Sequence, residues 1–161
     1  MEKNIIVGQS GGPTAVINAS LYGIVQEGLA RRGEVGSIYG MVNGIEGFLS
    51  GHFIDLSASL SPEDLALLKH TPGAYLGSCR HKLPESMDSP VYSLLFEKLE
   101  SMNIYAFFYI GGNDSMDTVE KLSRCGKARR SPISFIGVPK TIDNDLPLTD
   151  HTPGYGSAAK Y

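Results

Sequence analysis

The run Pro139-Lys140-Thr141-Ile142-Asp143-Asn144-Asp145 puts a lysine, a hydroxyl, two carboxylates and an amide into one short stretch, directly after the apolar residues 133–138. Polar groups of that density at the end of a buried strand are costly unless something engages them. Their types suit a site that grips phosphate and moves a proton. Asp143 and Asp145 alternate along the chain, so in an extended loop they can point the same way. One can then take a proton from a hydroxyl while the other helps to hold a metal or orients a partner. An Asx-turn about Asn144 is the structural alternative.

Two glycine-bearing segments could supply the phosphate contacts. Gly11 and Gly12 precede a helical pattern, where small residues let backbone N–H groups approach an anion and the helix N-terminus adds a favourable field. No Gly-Lys-Ser/Thr follows, so this is not a Walker loop, and a tight turn remains the alternative. Gly111-Gly112-Asn113-Asp114-Ser115 repeats the pattern, although Asp114 can equally serve as a helix cap. Arg80, within Gly77-Ser78-Cys79-Arg80-His81-Lys82, is either a phosphate clamp or a solvated charge. His81 reads as a surface residue, and Tyr105, Phe107, Phe108 and Tyr109 read as core.

These residues need a frame. Asn4-Ile5-Ile6-Val7 reads as a strand, and Ile17, Leu21, Ile24, Val25 and Leu29 recur at helical spacing towards Gly33. Residues 37–42 read as a second strand. Ser61, Pro62, Glu63 and Asp64 supply an N-cap, a first-turn proline and an acidic pair for a helix through Leu68. Ser89-Pro90 opens another through Glu100. Residues 104–110 are almost continuously apolar, as in a strand covered on both faces. Residues 114–125 read as a helix closed by Gly126, and residues 133–138 as a further strand. The expected class is α/β, a Rossmann-like parallel sheet sandwiched by helices. All three polar loops then leave the sheet at its carboxyl edge, where such sheets bind ligands.

Composition narrows the function. The 161 residues suffice for one sizeable core and read as a single domain over 1–161. A hydrophobic content of 42% and a charged content of 19% describe an ordinary globular chain. The net charge of −3 gives no general electrostatic reason to bind nucleic acid or an acidic membrane, so any phosphate affinity must be local. No apolar run is long enough to span a bilayer. Cys79 and Cys125 match neither a metal spacing nor a disulfide framework, and Met1-Glu2-Lys3-Asn4 lacks a signal-peptide profile. A reducing, cytoplasmic location is expected.

Four blocks in order resemble the N-terminal part of the phosphofructokinase family: Ser10-Gly11-Gly12 through Asn18, Gly77-Ser78-Cys79-Arg80, residues 111–115 and residues 139–145. Thr149-Asp150-His151-Thr152-Pro153-Gly154-Tyr155 extends the last block. The resemblance implies the donor-binding domain of that fold and phosphoryl transfer to the 1-hydroxyl of fructose 6-phosphate, with magnesium as cofactor. It implies Asp143 as general base, and Thr141, Ile142, Asp143 and Asp145 around the sugar-phosphate acceptor. Gly11, Gly12, Arg80 and Ser115 would contact the donor phosphates, and Asn113 and Asp114 the metal. Such transfer has a loose transition state, so positioning and charge neutralisation should dominate catalysis.

Two positions bear on the donor. ATP-using members usually carry glycine where this chain has Asp114 and Lys140, whereas pyrophosphate-using members resemble it at both. A carboxylate at 114 adds bulk and negative charge where the α-phosphate and nucleoside of ATP would lie, and Lys140 offers a cation to the leaving phosphate. Inorganic pyrophosphate is therefore the expected donor, with Asp143, Lys140 and Asp114 as the catalytic set. ATP is the alternative, and a non-catalytic phosphate- or nucleotide-binding module is the reading from another class. Asn113 departs from the commoner aspartate and brings an oxygen without charge. Family members run well beyond Tyr161, so the chain is expected to stop before the sugar-phosphate-reading half, to be inactive alone and to belong to a homo-oligomer.

Overall fold

The computed structural model describes residues 3–141 and 143–161. Strands β1 (Lys3–Gln9), β2 (Val35–Met41), β3 (Phe53–Asp55), β4 (Ile104–Gly111) and β5 (Ser134–Pro139) form one sheet in the order β3-β2-β1-β4-β5. The helices are α1 (Ala15–Ala30), α2 (Gly44–Leu49), α3 (Leu56–Ser59), α4 (Pro62–Leu67), α5 (Pro90–Ser101), α6 (Asn113–Arg129) and α7 (Tyr155–Lys160). Among the described residues no helix is long and apolar enough to cross a membrane.

Strand alternation splits the interior into two layers. Ile6, Phe107 and Tyr109 face a core with Phe48, Tyr92, Leu95, Phe96 and Leu122 of α2, α5 and α6. Ile5, Val7, Ala106 and Ile110 face a second core with Ile17, Leu21, Val25, Leu56 and Leu65 of α1, α3 and α4. Phe107 is fully buried and its ring lies 5.7 Å from Tyr109 and 5.5 Å from Phe135. Continuous apolarity along residues 104–110 thus reflects burial on both faces, as expected.

The expected α/β class holds, and one helix end is corrected. The sheet is parallel except at one edge, where β3 runs antiparallel to β2 through Tyr39↔Asp55, Gly40↔Ile54 and Met41↔Phe53. Only the short helix α2 separates those strands, too little chain for the crossover that a parallel neighbour requires. Gly126 does not close its helix: α6 continues to Arg129 and ends at Arg130, which adopts a left-handed φ of 55°. A Cβ on Gly126 would lie 3.0 Å from the Phe135 ring, so the absent side chain serves helix-on-strand packing. Other local signals hold. Ser61 and Asp64 form a reciprocal capping box with Pro62 at the start of α4, and Pro90 opens α5.

The topology also selects a position for chemistry. From β1 the chain moves to β2 on one side and returns to β4 on the other, so β1 and β4 flank a switch point. The loops after them face a crevice at the carboxyl ends of the strands.

Candidate functional site

The loop after β1 is stitched to its neighbours by backbone groups. Ser10 N–H donates to the Ile110 carbonyl at 2.9 Å, and Gly11 N–H to the Cys79 carbonyl at 3.2 Å. The Ser10 hydroxyl donates to that same carbonyl at 3.2 Å, and the Ser78 hydroxyl to the Gly11 carbonyl. Gly11 has φ +75°, a left-handed conformation that favours glycine. Its N–H is committed to Cys79, whereas among the described residues the Gly12 N–H makes no hydrogen bond. Of the expected pair, Gly12 is the one with a donor to offer a ligand.

The loop after β4 runs straight into α6. Gly112 is the N-cap residue, with no side-chain cap, so Asp114 is not the cap but a first-turn carboxylate. It is exposed, with Oδ1 at 3.4 Å from Lys82 Nζ. Ser115 is buried beneath Gly111, where an added Cβ would lie 2.0 Å from the serine Oγ. The close approach of loop and helix therefore requires glycine at 111.

The loop after β5 completes the arrangement. Lys140 N–H donates to the Gly111 carbonyl at 3.0 Å, and its ammonium donates to the Gly12 carbonyl. Only 8% of Lys140 is exposed. Burial lowers its pKa from the ordinary 10.5, and the nearby Asp143 carboxylate opposes that shift. The Thr141 hydroxyl accepts the Asp143 N–H at 3.0 Å. The neighbouring Thr141 hydroxyl and then the 3.3 Å bond from Asn113 Nδ2 hold the Asp145 pKa below the usual 3.8. Asn144 does not close an Asx-turn on its nearest neighbours. Its Oδ1 accepts from Thr152 N–H at 2.8 Å, and its Nδ2 donates to the Asp150 carbonyl at 3.2 Å.

Two adjoining cavities result. The first, about 300 Å³, is lined by Gly11, Gly12, Arg80, Asp114, Ser115 and Lys140, among others. The second, about 270 Å³, is lined by Gly12, Asn113, Lys140, Thr141, Asp143 and Asp145, among others. Gly12, Gly112, Asn113 and Lys140 line both and so lie between them. All the expected catalytic, phosphate-, substrate- and metal-contacting residues that are described line one of these cavities; Ile142 lies outside the described residues.

Some contributors are not legible in the sequence. His81 is half-buried in the wall of the first cavity, and its buried Nε2 has no hydrogen-bond partner among the described residues. The surface assignment for His81 is thus corrected. Gln9 and Asn18, both fully buried, form a latch. Gln9 Nε2 donates to Asn18 Oδ1 at 2.9 Å, and Asn18 Nδ2 donates to the carbonyls of Thr71 at 2.8 Å and Gly73 at 2.9 Å. The latch fixes the segment leading to Arg80. The one available signal was an amide beside Ile17 on the apolar stripe of α1.

The phosphofructokinase family profile matches residues 4–161. The chain is 44% identical over 161 residues to the pyrophosphate–fructose 6-phosphate 1-phosphotransferase of Halomonas elongata, covering 99% of this chain and 38% of the relative. It is 48% identical to the enzyme of the same name from Xanthomonas campestris, covering 98% of this chain and 37% of the relative. The crystal structure of pyrophosphate-dependent phosphofructokinase from Nitrosospira multiformis superposes with a TM-score of 0.90 at 44% identity, over 99% of this chain and 39% of that one. The chain therefore spans under two fifths of the length of these relatives. Its fold, its polar crevice and a match that runs from Asn4 to Tyr161 make this chain a member of the phosphofructokinase family.

Proposed function

We propose that this chain is the donor-binding part of an enzyme that transfers a phosphoryl group from inorganic pyrophosphate to the 1-hydroxyl of fructose 6-phosphate. The observation that carries this reading is the shared wall of the two cavities. A buried ammonium, Lys140, stands between a recess of about 300 Å³ at the α6 N-terminus and a recess bearing Asp143 and Asp145. Donor and acceptor would occupy opposite sides of it.

In this reading the Gly12 N–H, the first turn of α6 and Arg80 hold the pyrophosphate, with Gly11 and Ser115 shaping the recess beneath. Asp143 takes the proton of the 1-hydroxyl as that oxygen attacks the nearer phosphorus. The bridging P–O bond breaks, and Lys140 neutralises charge on the departing phosphate. Thr141 holds the Asp143 backbone and Asn113 holds the Asp145 carboxylate, so this loop is set before the acceptor arrives. Asp114 with Lys82 at the rim sets a carboxylate where a nucleoside would extend, which disfavours ATP.

Magnesium fits this residue set. Among the described residues no three His, Cys, Asp or Glu cluster as a dedicated metal cage. Magnesium commonly needs only one or two carboxylates, taking its other ligands from phosphates and water. Asp114, Asp143 and Asp145 are exposed carboxylates lining the recesses; with Asp143 as the base, Asp114 and Asp145 would hold the metal, and Asn113 can add an amide oxygen. When bound, the metal would neutralise donor phosphate charge.

Calorimetric titration of the chain with magnesium pyrophosphate and with magnesium ATP tests the donor. Binding of pyrophosphate and not ATP is expected, and a preference for ATP or binding of neither overturns the assignment. Asp114→Gly should raise the affinity for ATP, and an unchanged ATP titration would remove Asp114 from the selectivity argument. In a full-length protein bearing these residues, Asp143→Ser should abolish transfer and leave pyrophosphate binding nearly intact. Equal loss of both would sink the general-base role.

A further inference from the structure

One wall of the first cavity is a strap with no regular secondary structure. Residues 80–85 carry Arg80, His81 and Lys82 past the opening, and among the described residues none of their backbone N–H groups is hydrogen bonded. Such a segment should move freely, so the question is what holds it. Leu83 is buried in the core beneath it. The Tyr92 hydroxyl donates to the Pro84 carbonyl at 2.7 Å. A further hold is Lys121, on α6. Its ammonium donates to the Leu83 carbonyl at 3.4 Å and to Glu85 Oε1 at 2.6 Å, and pairs with Asp117 Oδ2 at 2.9 Å.

The Lys121 side chain is 7% exposed, against 87% for Glu85 and 53% for Asp117. An ammonium has three N–H donors. Leu83, Glu85 and Asp117 take all of them, so Lys121 has none left for a ligand. A buried ammonium is retained where its partners are well placed, and two of these three partners belong to the strap. Lys121 shares its helix with Asn113, Asp114 and Ser115, which form the opposite wall of the cavity. The other link between the walls, Lys82 with Asp114 at 3.4 Å, joins side chains 74% and 79% exposed. A pair so solvated contributes little and cannot fix a distance.

We propose that Lys121 is a positioning residue for the phosphoryl donor: it clamps the 80–85 strap to α6 and so sets the span between Arg80 and the helix N-terminus. The inference rests on reading the first cavity as a pyrophosphate site.

The test compares the wild-type chain with Lys121→Met, which keeps length and removes the donors, and with Lys121→Arg, which restores charge. Magnesium pyrophosphate affinity is read by calorimetry, and release of the strap by the rate of tryptic cleavage after Arg80 and Lys82. Cleavage after Lys98 and Arg124, inside α5 and α6, reports global opening. Lys121→Met should lose about tenfold or more in affinity, as expected when a binding group shifts by an ångström. It should be cut faster after Arg80 and Lys82 alone, and Lys121→Arg should recover most of both properties. Unchanged cleavage at the strap, cleavage accelerated equally at all four sites, or full affinity in Lys121→Met would each overturn the proposal. Failure of the wild type to bind pyrophosphate would instead defeat the donor reading, while the cleavage pattern still decides whether Lys121 holds the strap.

Discussion

Lys140 keeps its ammonium on the Gly12 carbonyl although burial lowers its pKa from 10.5. A lowered pKa means that the folded chain binds this proton less tightly than the unfolded chain. The charged lysine therefore subtracts stability below its folded pKa, and the deficit vanishes as pH rises through 10.5. Lys140→Met should leave Tm unchanged or higher, yet lose roughly 1.5–3 kcal/mol of pyrophosphate binding, the value of a hydrogen bond to a charged group. Calorimetry across pH checks both halves: wild-type affinity should fall as pH climbs towards 10.5, and the Lys140→Met profile should stay flat over that range. At Asp145 the sign is reversed. Its depressed pKa contributes stability above 3.8 that is lost as pH falls through the folded value. Because the Thr141 hydroxyl is the first cause, Thr141→Val should return the Asp145 pKa towards 3.8, read by NMR titration of the carboxyl carbon. The residue types around these positions were legible in the sequence, since a lysine and two acids beside a threonine announce acid–base and phosphate chemistry. Their division between two recesses was not, because it depends on where the Gly12 carbonyl stands.

At the scale of elements, tight joints carry the site. Gly111 ends β4 where α6 begins, and a Cβ there would meet Ser115 Oγ at 2.0 Å and the Ser10 carbonyl at 3.1 Å. Gly111→Ala should cost about 1–3 kcal/mol, the usual range for overpacking, seen as a lower urea midpoint at constant m-value. Helix starts with local chemistry, such as Ser61-Pro62 and Ser89-Pro90, were readable because capping depends on neighbours in sequence. The end of α6 was misread because Gly126 answers to Phe135 on another element rather than to its own helix. The elements α2, β3 and α3 were not predicted. They are short, with little room for periodicity to accumulate, and β3 exists only through its pairing with β2.

For the whole molecule, the sheet with α2, α5 and α6 on one face supplies a rigid base for the loops. Phe107 lies in that layer, fully buried among Tyr109, Phe135 and the helices. Phe107→Ala should destabilise the chain by about 3–5 kcal/mol, a large share of a domain's stability, and chemical denaturation measures the loss directly. A much smaller cost would mean that the layer collapses around the void. The strand order β3-β2-β1-β4-β5 also explains why loops far apart in sequence share one crevice: β1 lies between β2 and β4, and β5 is next to β4.

The sequence by itself determined the α/β class, the main strands and helices, and the cast of candidate site residues, because periodicity, capping and clustered polar groups are local properties. Tertiary structure decided the rest. It turned the edge strand antiparallel, committed the Gly11 N–H to Cys79 while leaving that of Gly12, and drew His81 into the cavity wall. It set Lys140 between two recesses and gave Lys121 three acceptors, two of them on a strap more than thirty residues earlier in the chain. Those outcomes depend on which backbone groups and charges meet across the fold, and no local pattern encodes that meeting.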